Sequence, residues 1–208
     1  MERRPPDTGE AWLLSYADLI TNLLIFFLVL LSAATISESR MQTISKYLSG
    51  QESPHSLERI EEELRKQVRE HGLEMLIATD KTDEGLEVSL NSGLVFDTGD
   101  AAIRPEQVQA VDTMLETLVP YAEKYRFAVE GHTDSQPIAP GGRYASNWEL
   151  STARANAVRH RLQLLGVAPA RVRVEGYADT KPLPEGKLEG LSEAERLARH
   201  RRVVVRIY

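Results

Sequence analysis

Asp18 stands inside the stretch Trp12 to Ala34, an apolar run long enough to cross a membrane. As a helix rising 1.5 Å per residue, that run reaches roughly 34 Å, enough to span the hydrocarbon with some tilt. An ionisable side chain at that depth costs about 2.5–3.5 kcal/mol on insertion scales, so it faces protein or water and carries function. A carboxylate there can bind and release a cation, which is the chemistry of an ion path. Ser15, Thr21 and Asn22 lie three or four residues away, on the same helical face. Their oxygens can ligate a partly dehydrated sodium ion, or hydrogen-bond the backbone or a partner helix. The proton is the first reading of the carried ion and sodium the alternative. Two other readings of the same run stand beside this one. Asp18 can sit at the headgroup level, favoured by the positive end of the helix dipole. The run can also be a signal peptide, with Arg3 and Arg4 before it and Ser32-Ala33-Ala34 as a small-residue cleavage site, although Asp18 and Asn22 are foreign to such a segment.

The elements that must position this chemistry follow from composition. The 208 residues leave room for one membrane helix, a connector and one domain of ordinary size. A net charge of −6 without a long basic run argues against a nucleic-acid partner. The absence of cysteine excludes disulfides and thiolate chemistry. His55, His71 and His160 show no metal-ligand spacing, so neither a metal nor a cofactor is expected. Lys and Arg near a span set its orientation, and Arg3 and Arg4 keep the N-terminus cytoplasmic. The C-terminal part is then exported to the periplasm by a single-pass protein of the inner membrane. The reading divides the chain into a cytoplasmic N-terminus (1–11), a transmembrane helix (12–35), plug or linker helices (36–72) and a globular domain (73–208).

Between 36 and 48, apolar Ile36, Met41, Ile44, Tyr47 and Leu48 alternate with polar residues as in a short amphipathic helix. A second helix is predicted from its Ser56 cap through Leu57, Ile60, Leu64 and Val68 to Gly72, as a docking or connecting element. Beyond it, strands are predicted at 75–79, 86–90, 127–130, 172–175 and 203–207, with 95–99 as a strand end and turn. Helices are predicted from Pro105 to Leu118, from Glu149 to Leu165, and after a capping box at Ser192 and Glu195. The class is α+β, a mixed sheet with helices packed on one face.

Five segments then carry a resemblance. Residues 96–105 (FDTGDAAIRP), 130–134 (EGHTD), 147–155 (NWELSTARA), 176–179 (GYAD) and 201–204 (RRVV) follow in the order of the OmpA-like peptidoglycan-binding domain, over roughly 73–208. The longer loop with Gln136-Pro137-Ile138, and 15–19 (SYADL) opening the membrane helix, are similar to MotB, the B subunit of flagellar stators. The resemblance implies an OmpA-like βα sandwich without enzymatic activity, gripping the diaminopimelate of the wall's peptide stem. Such a ligand end carries an ammonium and a carboxylate together. Asp134 fits the first and Arg154 the second, as a bidentate partner. Thr133, Asn147 and Leu150 position the peptide, and His132 supports the loop. Without the resemblance, Asp134 and Arg154 read equally well as partners of one another.

The resemblance also implies that Asp18 is the ion carrier, completed by a MotA-like A subunit arranged as a ring around two copies of this chain. Residues 36–48 fall where the family carries a plug. An Asn commonly precedes Arg-Arg-Val in the family; His200 stands there and is expected either to replace it as a donor or to weaken binding at higher pH. Arg201 and Arg202 read as solvent-facing residues of an edge strand. A non-flagellar motor such as the Zorya anti-phage system, and a passive wall tether in the inner membrane, are the alternative functions.

Overall fold

The computed structural model describes residues 11–34 and 56–208. The expected cytoplasmic N-terminus, the amphipathic segment 36–48 and the break at 50–54 lie outside them. Helix α1 (Ala11–Ala34) forms over the apolar run. From Trp12 to Leu30 every side chain is exposed within the chain itself, so its apolar surface has no protein cover here. That is the condition of a helix whose solvent is lipid or another protein.

Helix α2 (Leu57–Glu70) begins where Ser56 accepts a hydrogen bond from the Arg59 amide at 3.3 Å. Its apolar residues recur three or four apart, and Leu57, Ile60, Leu64 and Val68 are all buried. Those four belong to the same apolar core as the sheet. Sequence alone starts the globular part at 73 and leaves this helix as a docking or connecting element; in the fold it docks, as one wall of the domain.

Strands β1 (Ile77–Thr82) and β2 (Gly85–Asn91) form a hairpin. After it come the short helix α3 (Ser92–Val95), helix α4 (Pro105–Glu116), strand β3 (Phe127–His132) and helix α5 (Asn147–Leu164). Strand β4 (Val172–Gly176), helix α6 (Glu193–His200) and strand β5 (Arg202–Ile207) complete the chain. The sheet order is β1-β2-β5-β3-β4, antiparallel except for the β3–β4 pair, which α5 crosses over to join. Two expectations need correcting. Residues 92–95 are helical, so the strand end expected at 95–99 shrinks to an isolated bridge between Phe96 and Ile103, while the expected turn forms at 98–99. The last strand is central, not an edge. Val203, Val205 and Ile207 point into the core, while Arg206 on the other face pairs with Glu130 at 2.9 Å and Glu87 at 3.3 Å. Arginines that look solvated in sequence are neutralised here by carboxylates on the neighbouring strands.

One packing detail places the site. A Cβ on Gly131 would stand 1.9 Å from the Ser151 carbonyl oxygen, and one on Gly176 2.0 Å from the Thr152 Oγ1. Only glycine lets α5 lie this close to β3 and β4. That contact carries the first turns of α5 alongside the loop that leaves β3.

Candidate functional site

A cavity of about 740 Å³ opens between the turn after α3, the loop after β3 and the start of α5. Thr133, Asp134, Asn147, Leu150 and Arg154, the five residues expected to bind the wall, all line it. Each is held by a local reason. Ser146 caps α5 by accepting from the Glu149 amide at 3.4 Å, while Glu149 accepts from the Ala145 amide at 2.9 Å. That fixes Asn147, whose Nδ2 donates to the carbonyls of Gln136 (2.9 Å) and Asp134 (3.4 Å) and braces the loop. The Thr133 amide donates to the Ala178 carbonyl at 2.8 Å, so a second loop steadies the first.

Asp134 and Arg154 are both almost wholly buried, yet they do not pair with each other. Asp134 accepts from the Gln136 amide at 3.2 Å through Oδ1 and from Arg201 Nη1 at 2.6 Å through Oδ2. Arg154 donates Nε to the Asp100 carbonyl at 2.9 Å and Nη2 to the Asp97 carbonyl at 3.1 Å, with its guanidinium over the Phe96 ring. It therefore shapes the 97–100 turn while its remaining N–H groups stay available. Burial, with the Arg201 guanidinium as the next cause, pulls the Arg154 pKa below its ordinary value; a guanidinium keeps its proton under such a pull. At the mouth, Asp100 accepts from the amides of Ala101 (2.6 Å) and Ala102 (3.2 Å), which hold its carboxyl below the usual carboxylate range. Arg143 reaches the same carboxylate at 3.3 Å.

The charged lining consists of Asp97, Asp100 and Asp134 with Arg143, Arg154 and Arg201. Anions and planar cations stand in equal number around a space large enough for a small molecule, with Asp134 and Arg154 buried and Asp97 and Arg143 exposed. Such a site suits a zwitterion better than a simple anion or cation.

Arg201 was missed from sequence, because consecutive arginines on a strand look like a solvated pair. They divide instead. Arg201 enters the cavity, and Arg202 donates to the Lys181 carbonyl at 3.1 Å and the His200 carbonyl at 3.3 Å. His200 does not line the cavity; its Nδ1 accepts from the Leu183 amide at 3.3 Å and ties down the loop before α6. His132 is buried, stacked on Tyr177 with centroids 5.4 Å apart, and also absent from the cavity wall. Burial lowers its pKa, against the opposing pull of Glu130.

On α1, Asn22 Nδ2 donates to Asp18 Oδ1 at 3.3 Å, and the Thr21 hydroxyl donates to the Ala17 carbonyl. Thr21 thus satisfies itself on its own helix, whereas Asn22 and Asp18 form one polar patch on an apolar cylinder.

Residues 95–196 match the family model described as the OmpA family, and residues 1–51 match the one described as membrane MotB of the proton-channel complex MotA/MotB. Over 95% of this chain and 90% of the relative, it is 27% identical to motility protein B of Bacillus subtilis (strain 168). The chain is MotB-like, with an OmpA-like C-terminal domain. Among solved structures, a MotB-like protein from Desulfovibrio vulgaris superposes with a TM-score of 0.64 at 22% identity, covering 73% of this chain and 90% of that one. The cell wall anchor of the T6SS from Pseudomonas aeruginosa gives 0.59 at 28% identity, covering 70% and 96%. The OmpA match takes in the turn at 96–100, the 133–143 loop and all of α5, but ends before Arg201. The MotB match contains Asp18 and its neighbours. The two candidate sites of this MotB-like chain therefore fall in separately matched regions.

Proposed function

We propose that this chain is the B subunit of an ion-driven rotary motor of the flagellar stator type. Its N-terminus is cytoplasmic, α1 crosses the inner membrane once, and the sheet domain stands in the periplasm. Two copies sit inside a ring of MotA-like A subunits. Asp18 takes up and releases the driving ion, a proton in the first reading and sodium in the second. Neutralising a charge at that depth changes its contacts with the ring and permits one rotational step. A potential of 100 mV supplies about 2.3 kcal/mol for each elementary charge that crosses. The similarity to motility protein B along nearly the whole chain supports this assignment.

The periplasmic domain holds the stator still by gripping peptidoglycan. The observation that carries this reading is the charge-balanced cavity with buried Asp134 and Arg154 on opposite duties. A diaminopimelate end presents an ammonium, which replaces Arg201 as the partner of Asp134, and a carboxylate, which meets Arg154. Thr133, Asn147 and Leu150 shape the space around it. No covalent step is needed, so the proposed role is binding and ion transport rather than catalysis.

The likeness to a T6SS cell wall anchor favours one second reading, a passive inner-membrane tether. Swimming separates the two. In a host deleted for this gene, the wild type is expected to restore swimming and Asp18→Asn to restore none, with both proteins equally abundant and equally retained by peptidoglycan. Full function of Asp18→Asn would leave the tether as the better description.

A further inference from the structure

We propose that Ser92 is a ligand-contacting residue of the cavity, donating its hydroxyl to the carboxylate of the bound zwitterion. The inference rests on the peptidoglycan reading above and adds a residue to it. Ser92 opens α3 directly after β2 and is completely buried, yet it lines the cavity and its Oγ has no hydrogen-bond partner. The Oγ1 of Thr133, which lines the same cavity, is buried and unpartnered as well.

A hydroxyl buried without a partner costs folding on the order of 1–3 kcal/mol, and native structures leave few of them. Alanine would fill position 92 without that cost. The hydroxyl therefore adds nothing to the fold by itself, and two unpartnered hydroxyls on residues that line one cavity mark a place prepared for an outside acceptor.

The neighbours fix the sign of that acceptor. The Ser92 amide donates to the Arg201 carbonyl at 3.0 Å, and a Cβ on the adjoining Gly93 would stand 4.0 Å from Arg201 Nη2. The start of α3 thus lies beside the Arg201 guanidinium, and Arg154 lines the same cavity. Hydroxyl donors next to guanidinium donors select an oxygen bearing negative charge, and hydrogen bonds to such an oxygen are the stronger kind. The ligand class is a molecule with a free α-amino acid end. Its ammonium goes to Asp134, and its carboxylate goes to the arginines with Ser92 and Thr133.

The test uses the full chain in detergent, sedimented with purified peptidoglycan and melted with and without free meso-diaminopimelate. Ser92→Ala is expected to weaken peptidoglycan binding roughly tenfold, as for a hydrogen bond to a charged group. The same variant is expected to raise the unliganded unfolding midpoint by about 2–4 °C, because the unpaired hydroxyl is gone. Ser92→Cys keeps the shape with a poor donor and is expected to bind weakly too. Wild-type affinity in both variants would overturn the inference, and so would a midpoint that falls together with binding, since Ser92 would then be a packing residue. Arg154→Ala run alongside separates the two levels. Its loss of binding beside an unaffected Ser92→Ala removes only Ser92 from the site, whereas retained binding by Arg154→Ala removes the wall site itself.

Discussion

Asp18 and Asp134 are the same side chain in opposite settings. Asp18 lies on a helix whose flanking side chains are all exposed, and its recorded partner is the amide of Asn22 on that helix. Asp134 is nearly buried, held by a backbone amide and a guanidinium from the far end of the chain. The pocket aspartate therefore finds its environment within one folded domain. The membrane aspartate takes its chemistry from whatever surrounds α1, which under the proposal is the A-subunit ring and the bilayer. Under the proposal, one half of the molecule is a finished binding site and the other is half of a site.

That contrast breaks first at Arg154. Removing a buried guanidinium that holds two carbonyls strips the cavity of its one buried arginine and the 97–100 turn of two charge-assisted bonds. Arg154→Ala is expected to cost the domain about 2–4 kcal/mol and to abolish sedimentation with peptidoglycan, the folded fraction being followed by circular dichroism. Arg154→Lys keeps a charge without the planar fork and is expected to recover stability in part but not binding. If either variant lost ion conduction while still holding the wall, the two halves would not be the separable devices described here.

Much of this architecture was legible in the sequence. The period-two strands, the glycine and proline boundaries, the Ser56 and Ser192 caps and the five pocket residues follow from pattern or resemblance, and the structure brings those five together. What the pattern could not carry is pairing between distant strands. The arginines of 201–206 look exposed until Glu87, Glu130 and Asp134, all far away in sequence, are brought beside them. Ser92 was invisible for a related reason. Nothing local distinguishes a serine that caps or turns from one whose hydroxyl is buried without a partner beside a cavity, and that difference exists only after the chain has closed.

The pocket's self-sufficiency depends on the far face of the sheet, where acid should loosen it. His132 directly precedes Thr133 and Asp134 and is held neutral by burial, with Glu130 pulling the other way and Arg202 and Lys181 reinforcing the shift. Its folded pKa lies below the unfolded value of about 6.5. The unfolded chain therefore binds a proton first as pH falls through about 6.5, and stability declines until the folded pKa is passed. The slope approaches about 1.4 kcal/mol per pH unit. Chemical denaturation of the wild type between pH 7.5 and 5.5 should show this decline, and His132→Phe, which keeps an aromatic ring against Tyr177, should flatten it. An equal slope in both proteins would assign the acid sensitivity to other groups.

The smallest effect tests where the two halves meet. If α2 belonged to the connector, its cap would not matter to the sheet domain. The structure joins them at several points: four buried residues of α2 enter the common core, Tyr121 donates its hydroxyl to Glu63, and Lys81 pairs with Glu58. Burial and the Glu63 carboxylate push the Tyr121 phenol up to about 12, so that hydrogen bond keeps its proton throughout the physiological range. Loosening the first turn of α2 must then be felt by the whole domain. Ser56→Ala removes the acceptor for the Arg59 amide and is expected to cost about 1 kcal/mol in denaturant titrations. It should leave peptidoglycan binding intact, because the cavity lies on other elements. A melt in which α2 unfolded separately, with the sheet unchanged, would move the boundary of the self-contained half back to residue 73 and return α2 to the connector.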